Sequence, residues 1–259
     1  MKLSTLIFSK NRACQLEALL RSLKFEVEQN DMQILYTYDP EFESGYKKLM
    51  EMHPNFNYVM QTDFQEQVTR SITGDYHLFL TDDDIMVNTF NDDCPESLEF
   101  QNNQDIICLN MRMSRNYNYD FLKHRRVPLP EFHDGTWEWQ KYRHDWGYAM
   151  NTSAHVFRKD DILPIIERIE FENPHRLEHG LVRGRLNKPL MIGFEHAKFL
   201  NTPVNRVGTV PNRTGAYAST ESLNEKFLAG HVIDIDPIIE RAKTTRAYFT
   251  PMEFSWISP

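Results

Sequence analysis

Tyr76-His77-Leu78-Phe79-Leu80-Thr81-Asp82-Asp83-Asp84 is the stretch on which the fold turns. Six residues of β-favouring, mostly apolar character run without a break into three adjacent acids. Such a run reads as a strand buried on both faces, the kind found in parallel sheets. The same signal recurs upstream at 3–9 (LSTLIFS), 32–38 (MQILYTY) and 57–61 (NYVMQ). Helical patterns lie between them. Leu16, Leu19, Leu20 and Leu23 repeat at helical spacing over 15–23, with Asn11 placed to cap them, and 43–52 reads as a second helix. Asp63 is placed to cap a third helix, running to about residue 72 and stopped by Gly74. Four short strands separated by three helices need crossover connections, which predicts an α/β fold with a mostly parallel central sheet flanked by helices.

The second half is less regular. Residues 105–113 (DIICLNMRM) and 152–157 read as strands, 160–169, 175–186 and 223–228 as helices, and 191–201 as partly extended. Between them, 117–148 holds nine aromatic residues, including Trp137, Trp139 and Trp146. No composition shift marks a linker. The expected organisation is one domain over 1–259, with 1–113 as a nucleotide-binding half and 114–259 as an acceptor-binding half.

Composition narrows the function. Of 259 residues, 41% are hydrophobic and 25% charged, ordinary for a globular protein. With 29 Lys+Arg against 37 Asp+Glu the net charge is −8, which argues against nucleic acid as a partner. The apolar run at 3–8, interrupted by Ser4 and Thr5 and followed by Lys10 and Arg12, is too short for a signal core, and no stretch is long enough for a transmembrane segment. Three widely spaced cysteines support neither a disulfide framework nor a zinc site. The expected location is the cytoplasm, or peripherally the inner membrane face.

In open α/β sheets, ligands bind beyond the carboxyl ends of the strands. Three such ends carry polar groups here: Ser9-Lys10-Asn11-Arg12, Asp39 and Asp82 to Asp84. Three adjacent acids oppose one another electrostatically, so their placement after a buried strand points to a divalent-cation site.

These features resemble the GT-A (Rossmann-like) glycosyltransferases, and within them the family 2 type. The opening strand with Ser9-Lys10-Asn11-Arg12, Asp39 after the second strand, and Leu80-Thr81-Asp82-Asp83-Asp84 at the place of the DXD motif all match in order. Downstream, His155-Val156-Phe157-Arg158 resembles the strand opening the acceptor half, and Asn173-Pro174-His175-Arg176-Leu177-Glu178 the segment that delivers the catalytic acid. Asn201 to Val207 and Leu223 to Gly230 are similar to blocks of bacterial members. The resemblance implies a metal-dependent, inverting transfer of a sugar from a nucleotide-sugar donor, UDP-linked or GDP-linked with UDP favoured, to a saccharide, glycan or other hydroxyl acceptor.

It also implies roles. Asp84 is the first choice for ligand to Mn²⁺ or Mg²⁺, and Asp82 contacts the metal or the ribose. The metal would neutralise charge on the departing diphosphate. Asp83 belongs to the donor side or faces away. Asp39 resembles a residue that hydrogen-bonds base or ribose, although an Asx turn before Pro40 explains it equally. Ser9, Asn11, Arg12 and Arg70 complete the expected donor contacts. An inverting transfer needs a general base near the acceptor hydroxyl. Glu178 fits, with Asp145 as the rival. Trp137, Trp139 and Trp146 are candidates to stack on an acceptor sugar, with core filling as the other reading. A nucleotidyltransferase is the alternative enzyme, but the first loop has no glycine to cradle phosphate. A non-catalytic nucleotide- or carbohydrate-binding module is the third possibility.

Overall fold

The computed structural model describes residues 1–23, 31–121, 123–184, 186–207 and 217–258. The first part alternates as expected: β1 (Leu3–Lys10), α1 (Ala13–Ser22), β2 (Met32–Thr37), α2 (Glu43–Met52), β3 (Asn57–Met60), α3 (Phe64–Ser71) and β4 (Tyr76–Thr81). The Asp63 side chain caps α3 by accepting from the Glu66 N–H. Asn11 does not cap α1. It adopts a left-handed backbone at φ 58°, which asparagine tolerates, and Arg12 takes the capping position.

The remaining elements are β5 (Asp84–Met86), α4 (Pro95–Asn102), β6 (Ile106–Ser114), β7 (Tyr119–Asp120), β8 (Arg125–Arg126), β9 (Thr136–Glu138), β10 (His155–Arg158), α5 (Lys159–Ile166), α6 (Pro174–Arg183), β11 (Leu190–Phe194), β12 (Phe199–Asn201), α7 (Thr220–Leu228), β13 (Val232–Ile233), α8 (Asp236–Thr244) and β14 (Trp256–Ile257). Eight strands form the central sheet in the order β3-β2-β1-β4-β10-β6-β11-β9. The first four are parallel, β10 runs antiparallel between β4 and β6, and β9 closes the far edge antiparallel to β11. The acid triplet leaves β4 in a turn, and Asp84 opens β5, which pairs with β12.

Strand alternation builds two cores, one on each face. Ile7, Leu78 and Leu80 pack with Leu16 and Leu19 of α1 on one side. Leu6, Phe8 and Phe79 pack with Phe157, Trp137 and Trp146 on the other. No described helix is long and apolar enough to cross a membrane.

Three departures from the sequence reading have physical reasons. β10 begins at His155 rather than 152, because Ala154 takes a left-handed backbone at φ 50° and turns the chain just before it. The Ala154 N–H still donates to Phe79 and its carbonyl accepts from Met111 N–H, which pins this turn between β4 and β6. α4 buries only Ser97 and Phe100, too few apolar positions to show a period. α8 likewise buries Ile238 alone.

Candidate active site

The carboxyl ends of β1, β2 and β4 meet as the sheet order requires. At the end of β1, the Ser9 hydroxyl lies 2.7 Å from the buried Tyr46 hydroxyl of α2. Asn11 and Asp39 are reciprocally bonded: Asn11 Nδ2 donates to the Asp39 carboxylate at 2.6 Å, and the Asp39 N–H donates to Asn11 Oδ1 at 2.8 Å. This exchange explains the left-handed Asn11 and holds Asp39 on the rim, exposed. Tyr36, Tyr38 and Tyr46 stack beside it, with centroids 5.2 to 6.1 Å apart.

Arg12 is buried among the acids. Its Nη1 donates to Asp82 at 2.9 Å and to Asp83 at 3.0 Å, and Nε donates to Asn205 Oδ1 at 2.8 Å. Burial opposes the guanidinium charge, yet Asp82 and Asp83 outweigh it and raise the pKa. Asp82 also accepts from the Lys10 N–H. Burial pushes the Asp82 carboxyl up to about 6, with Arg12 opposing and Asp83 adding to the shift.

Asp84, 1% exposed, is the most enclosed of the three. One oxygen accepts from Ser153 Oγ and Asn201 Nδ2, both at 2.8 Å; the other accepts from the Thr81 N–H at 2.9 Å. The Thr81 hydroxyl reaches both Asp83 and Asp84, at 2.9 and 3.0 Å, and donates to one at a time. A carboxylate offers about four acceptor positions. Asp84 has at most one left, and burial with Asp83 nearby raises its pKa. Among the described residues no group of three or more His, Cys, Asp or Glu side chains is arranged to hold a metal. The donor set as it stands therefore does not fit the expected cation: Arg12 already serves Asp82 and Asp83 as counter-charge, and neutral donors fill Asp84.

The turn at 151–154 joins this cluster to Glu178. Ser153 binds Asp84, while Thr152 donates its N–H to Glu178 Oε2 at 3.0 Å and its hydroxyl lies 3.3 Å away. Tyr148 Oη donates to Glu178 Oε1 at 2.7 Å. Glu178 sits half-buried on α6, whose N-cap Asn173 accepts from the Arg176 N–H. Its Oε1 retains an acceptor position. Asp145, raised by burial and opposed by Arg112, lies in the same electrostatic neighbourhood.

Not every expected residue arrives. Arg70 points outward on α3, 76% exposed in its side chain and paired with Glu66. The structure corrects the acceptor-stacking reading of two tryptophans. Trp137 and Trp146 are each 1% exposed, edge-to-face at 5.2 Å. Trp137 Nε1 donates to the Trp146 carbonyl and Trp146 Nε1 to the Tyr117 carbonyl, so both are satisfied core residues with no face for a sugar. Trp139 is half-buried, its Nε1 donating to the Lys188 carbonyl.

The sequence reading gave no role to Tyr148, Thr152 or Ser153, whose residue types carry no signal without their partners, and set apart the block holding Asn201 and Asn205 without assigning either to the site. It also missed Arg112, for which a signal existed: a lone arginine within the apolar run 105–113.

No family model matches the chain, and no curated protein is significantly similar to it in sequence. Solved structures do share the fold. The likeness to S. aureus TarS 1–349 in complex with UDP-GlcNAc has a TM-score of 0.51 at 14% identity, over 85% of this chain and 62% of that one. For the same TarS fragment with UDP it is 0.51 at 14%, over 77% and 60%. The mannosyltransferase PcManGT from Pyrobaculum calidifontis, in complex with GDP-Man and Mn²⁺, gives 0.44 at 9%, over 74% and 54%. The chain thus spans about three-fifths of the TarS fragment, and its fold is of the GT-A type.

Proposed function

We propose that the chain is a glycosyltransferase that moves a sugar from a nucleotide-sugar donor to a hydroxyl acceptor with inversion, Glu178 acting as general base. One observation carries the reading. The 151–154 turn binds Asp84 with one side chain and Glu178 with the next residue, tying the acidic end of β4 to a carboxylate on α6. That is the separation of labour a direct displacement needs, with the leaving group on one side and a base on the other. Ser9, Asn11, Asp39 and the tyrosine stack form the donor rim, where a base stacks and hydrogen-bonds. The TarS complex with UDP-GlcNAc supports a UDP-linked donor.

In the reaction, Glu178 takes the proton of the acceptor hydroxyl as that oxygen attacks the anomeric carbon and the bond from that carbon to the diphosphate breaks, releasing the nucleoside diphosphate from the opposite face. Tyr148 and Thr152 hold the carboxylate in place while its open acceptor position faces the proton. No step runs through a metal: Arg12 already balances Asp82 and Asp83, and Asp84 keeps at most one acceptor position, too little to hold a cation. Three free cysteines suit a reducing compartment and support a cytoplasmic site of action.

Glu178→Gln tests this. It keeps size and cannot accept a proton, so nucleotide binding stays at the native level while kcat falls by about 10²–10⁴. The product anomer, read by NMR, is inverted relative to the donor. Near-native turnover of Glu178→Gln transfers the role to Asp145, and a retained anomer overturns the mechanism.

A further inference from the structure

Arg112, near the carboxyl end of β6, is 2% exposed, and its Nε and Nη2 have no hydrogen-bond partner among the described residues. Nor does its guanidinium form an ion pair with any of them. Buried guanidinium groups are ordinarily paired, because desolvated N–H donors left unmade are costly. Three details show that the position is built. First, β6 bulges there: β11 pairs Gly193 with Asn110 and then Phe194 with Ser114, skipping the residues between. Second, Asn110 Oδ1 accepts from the N–H groups of both Arg112 and Met113, which holds the bulge. Bulges of this kind re-aim a side chain out of strand alternation. Third, the guanidinium carbon lies 3.9 Å from the centre of the Tyr248 ring, a contact that gives Nε and Nη2 no acceptor and leaves them buried and unpaired.

The Met111 N–H donates to the Ala154 carbonyl, which sets Arg112 next to the 151–154 turn that binds Asp84 and Glu178. Tyr248, Asp145, Glu178 and Asp84 all act on Arg112 electrostatically. None of the three acids forms an ion pair with it among the described residues; Asp84 is held by Ser153 and Asn201, and Glu178 by Tyr148 and Thr152. Beside it, His155 is fully buried and neutral, its Nδ1 donating to the Ser153 carbonyl. A fixed cation with a free planar fork, at the ligand-binding end of a sheet, matches an oxyanion that can be gripped by two oxygens at once.

We propose that Arg112 is the diphosphate-binding residue of the site, its guanidinium receiving two phosphate oxygens of a nucleoside-diphosphate donor. This rests on the glycosyl-transfer reading for its ligand. Arg112 thereby supplies positive charge where the leaving group departs.

Titration calorimetry with pyrophosphate, UDP and uridine, all in EDTA, tests it on the native protein, Arg112→Lys and Arg112→Gln, with folding checked by circular dichroism. The native protein is expected to bind pyrophosphate, and UDP more tightly than uridine. Arg112→Lys, which loses the two-oxygen grip, weakens both phosphate ligands about tenfold or more. Arg112→Gln abolishes pyrophosphate binding and brings UDP down to uridine, whose own affinity does not move. A folded Arg112→Gln protein with native pyrophosphate affinity overturns the proposal, as does a native protein that ignores pyrophosphate. Should the variants unfold, the Nε–H resonance of Arg112 in the labelled native protein decides: it shifts with pyrophosphate, and a resonance that stays still refutes the assignment. The pyrophosphate arm stands even if no nucleotide sugar supports transfer. Conversely, a refuted Arg112 leaves the Glu178 test intact.

Discussion

His77 sits wholly buried in β4, its Nδ1 2.8 Å from the Ser4 hydroxyl and its Nε2 unpartnered among the described residues. Burial lowers its pKa to about 3 from an ordinary value near 6.5. The unfolded chain therefore binds a proton that the folded chain refuses between these values. Stability from this group is full above pH 6.5 and is lost as pH falls toward 3, by up to about 1.4 kcal/mol per pH unit. His77→Phe, which cannot titrate, should lose less stability than the native protein between pH 6.5 and 5 in urea unfolding; equal losses would show that His77 is not the source. Single residues were unevenly legible in the sequence. Asp82, Asp84 and Glu178 are visible because a carboxylate after a strand or early in a helix announces itself. The surroundings of the tryptophans are not, since Trp137 and Trp146 face each other only once β9 and the 144–147 turn are folded together.

At the scale of elements, α6 carries Glu178 and begins at Asn173-Pro174, a cap followed by a proline at the first helical position. Asn173→Ala leaves the Arg176 N–H without its acceptor and should cost about 1 kcal/mol. Because the first turn frays, Glu178 loses its hold on Tyr148 and Thr152, so turnover should drop as well. Asn173→Ser, which caps equally well, should restore both melting temperature and turnover; a normal turnover in Asn173→Ala would separate the cap from the site. β1 to β4 were readable because each is a short, mostly apolar, β-favouring run set off by turn residues or a helical pattern. The 151–154 turn was not, because its left-handed Ala154 is imposed by bonds to Phe79 and Met111, neither of them near it in sequence. Such a backbone is unfavourable for alanine by itself and persists because its neighbours hold it.

Across the whole molecule, Arg12 links the start of α1 to the acid turn after β4 and to Asn205, 193 residues away in sequence. Arg12→Met leaves Asp82 and Asp83 buried without a counter-charge and should destabilise the fold by about 3–5 kcal/mol in urea unfolding. Adding Asp82→Asn should recover part of that loss, whereas no recovery would mean that the guanidinium serves packing alone. The insertion of β10 between β4 and β6 has a further consequence for how the protein is made. On the ribosome, residues 76–81 and 106–114 emerge well before 155–158, the strand that separates them. Until that strand arrives, the growing chain carries an open β4 edge with its backbone donors and acceptors unmet, the kind of surface that recruits other nascent chains. A pause in translation while 76–81 are outside the ribosome and 155–158 are still within it thus prolongs the exposure of that edge, and with it the need for a chaperone.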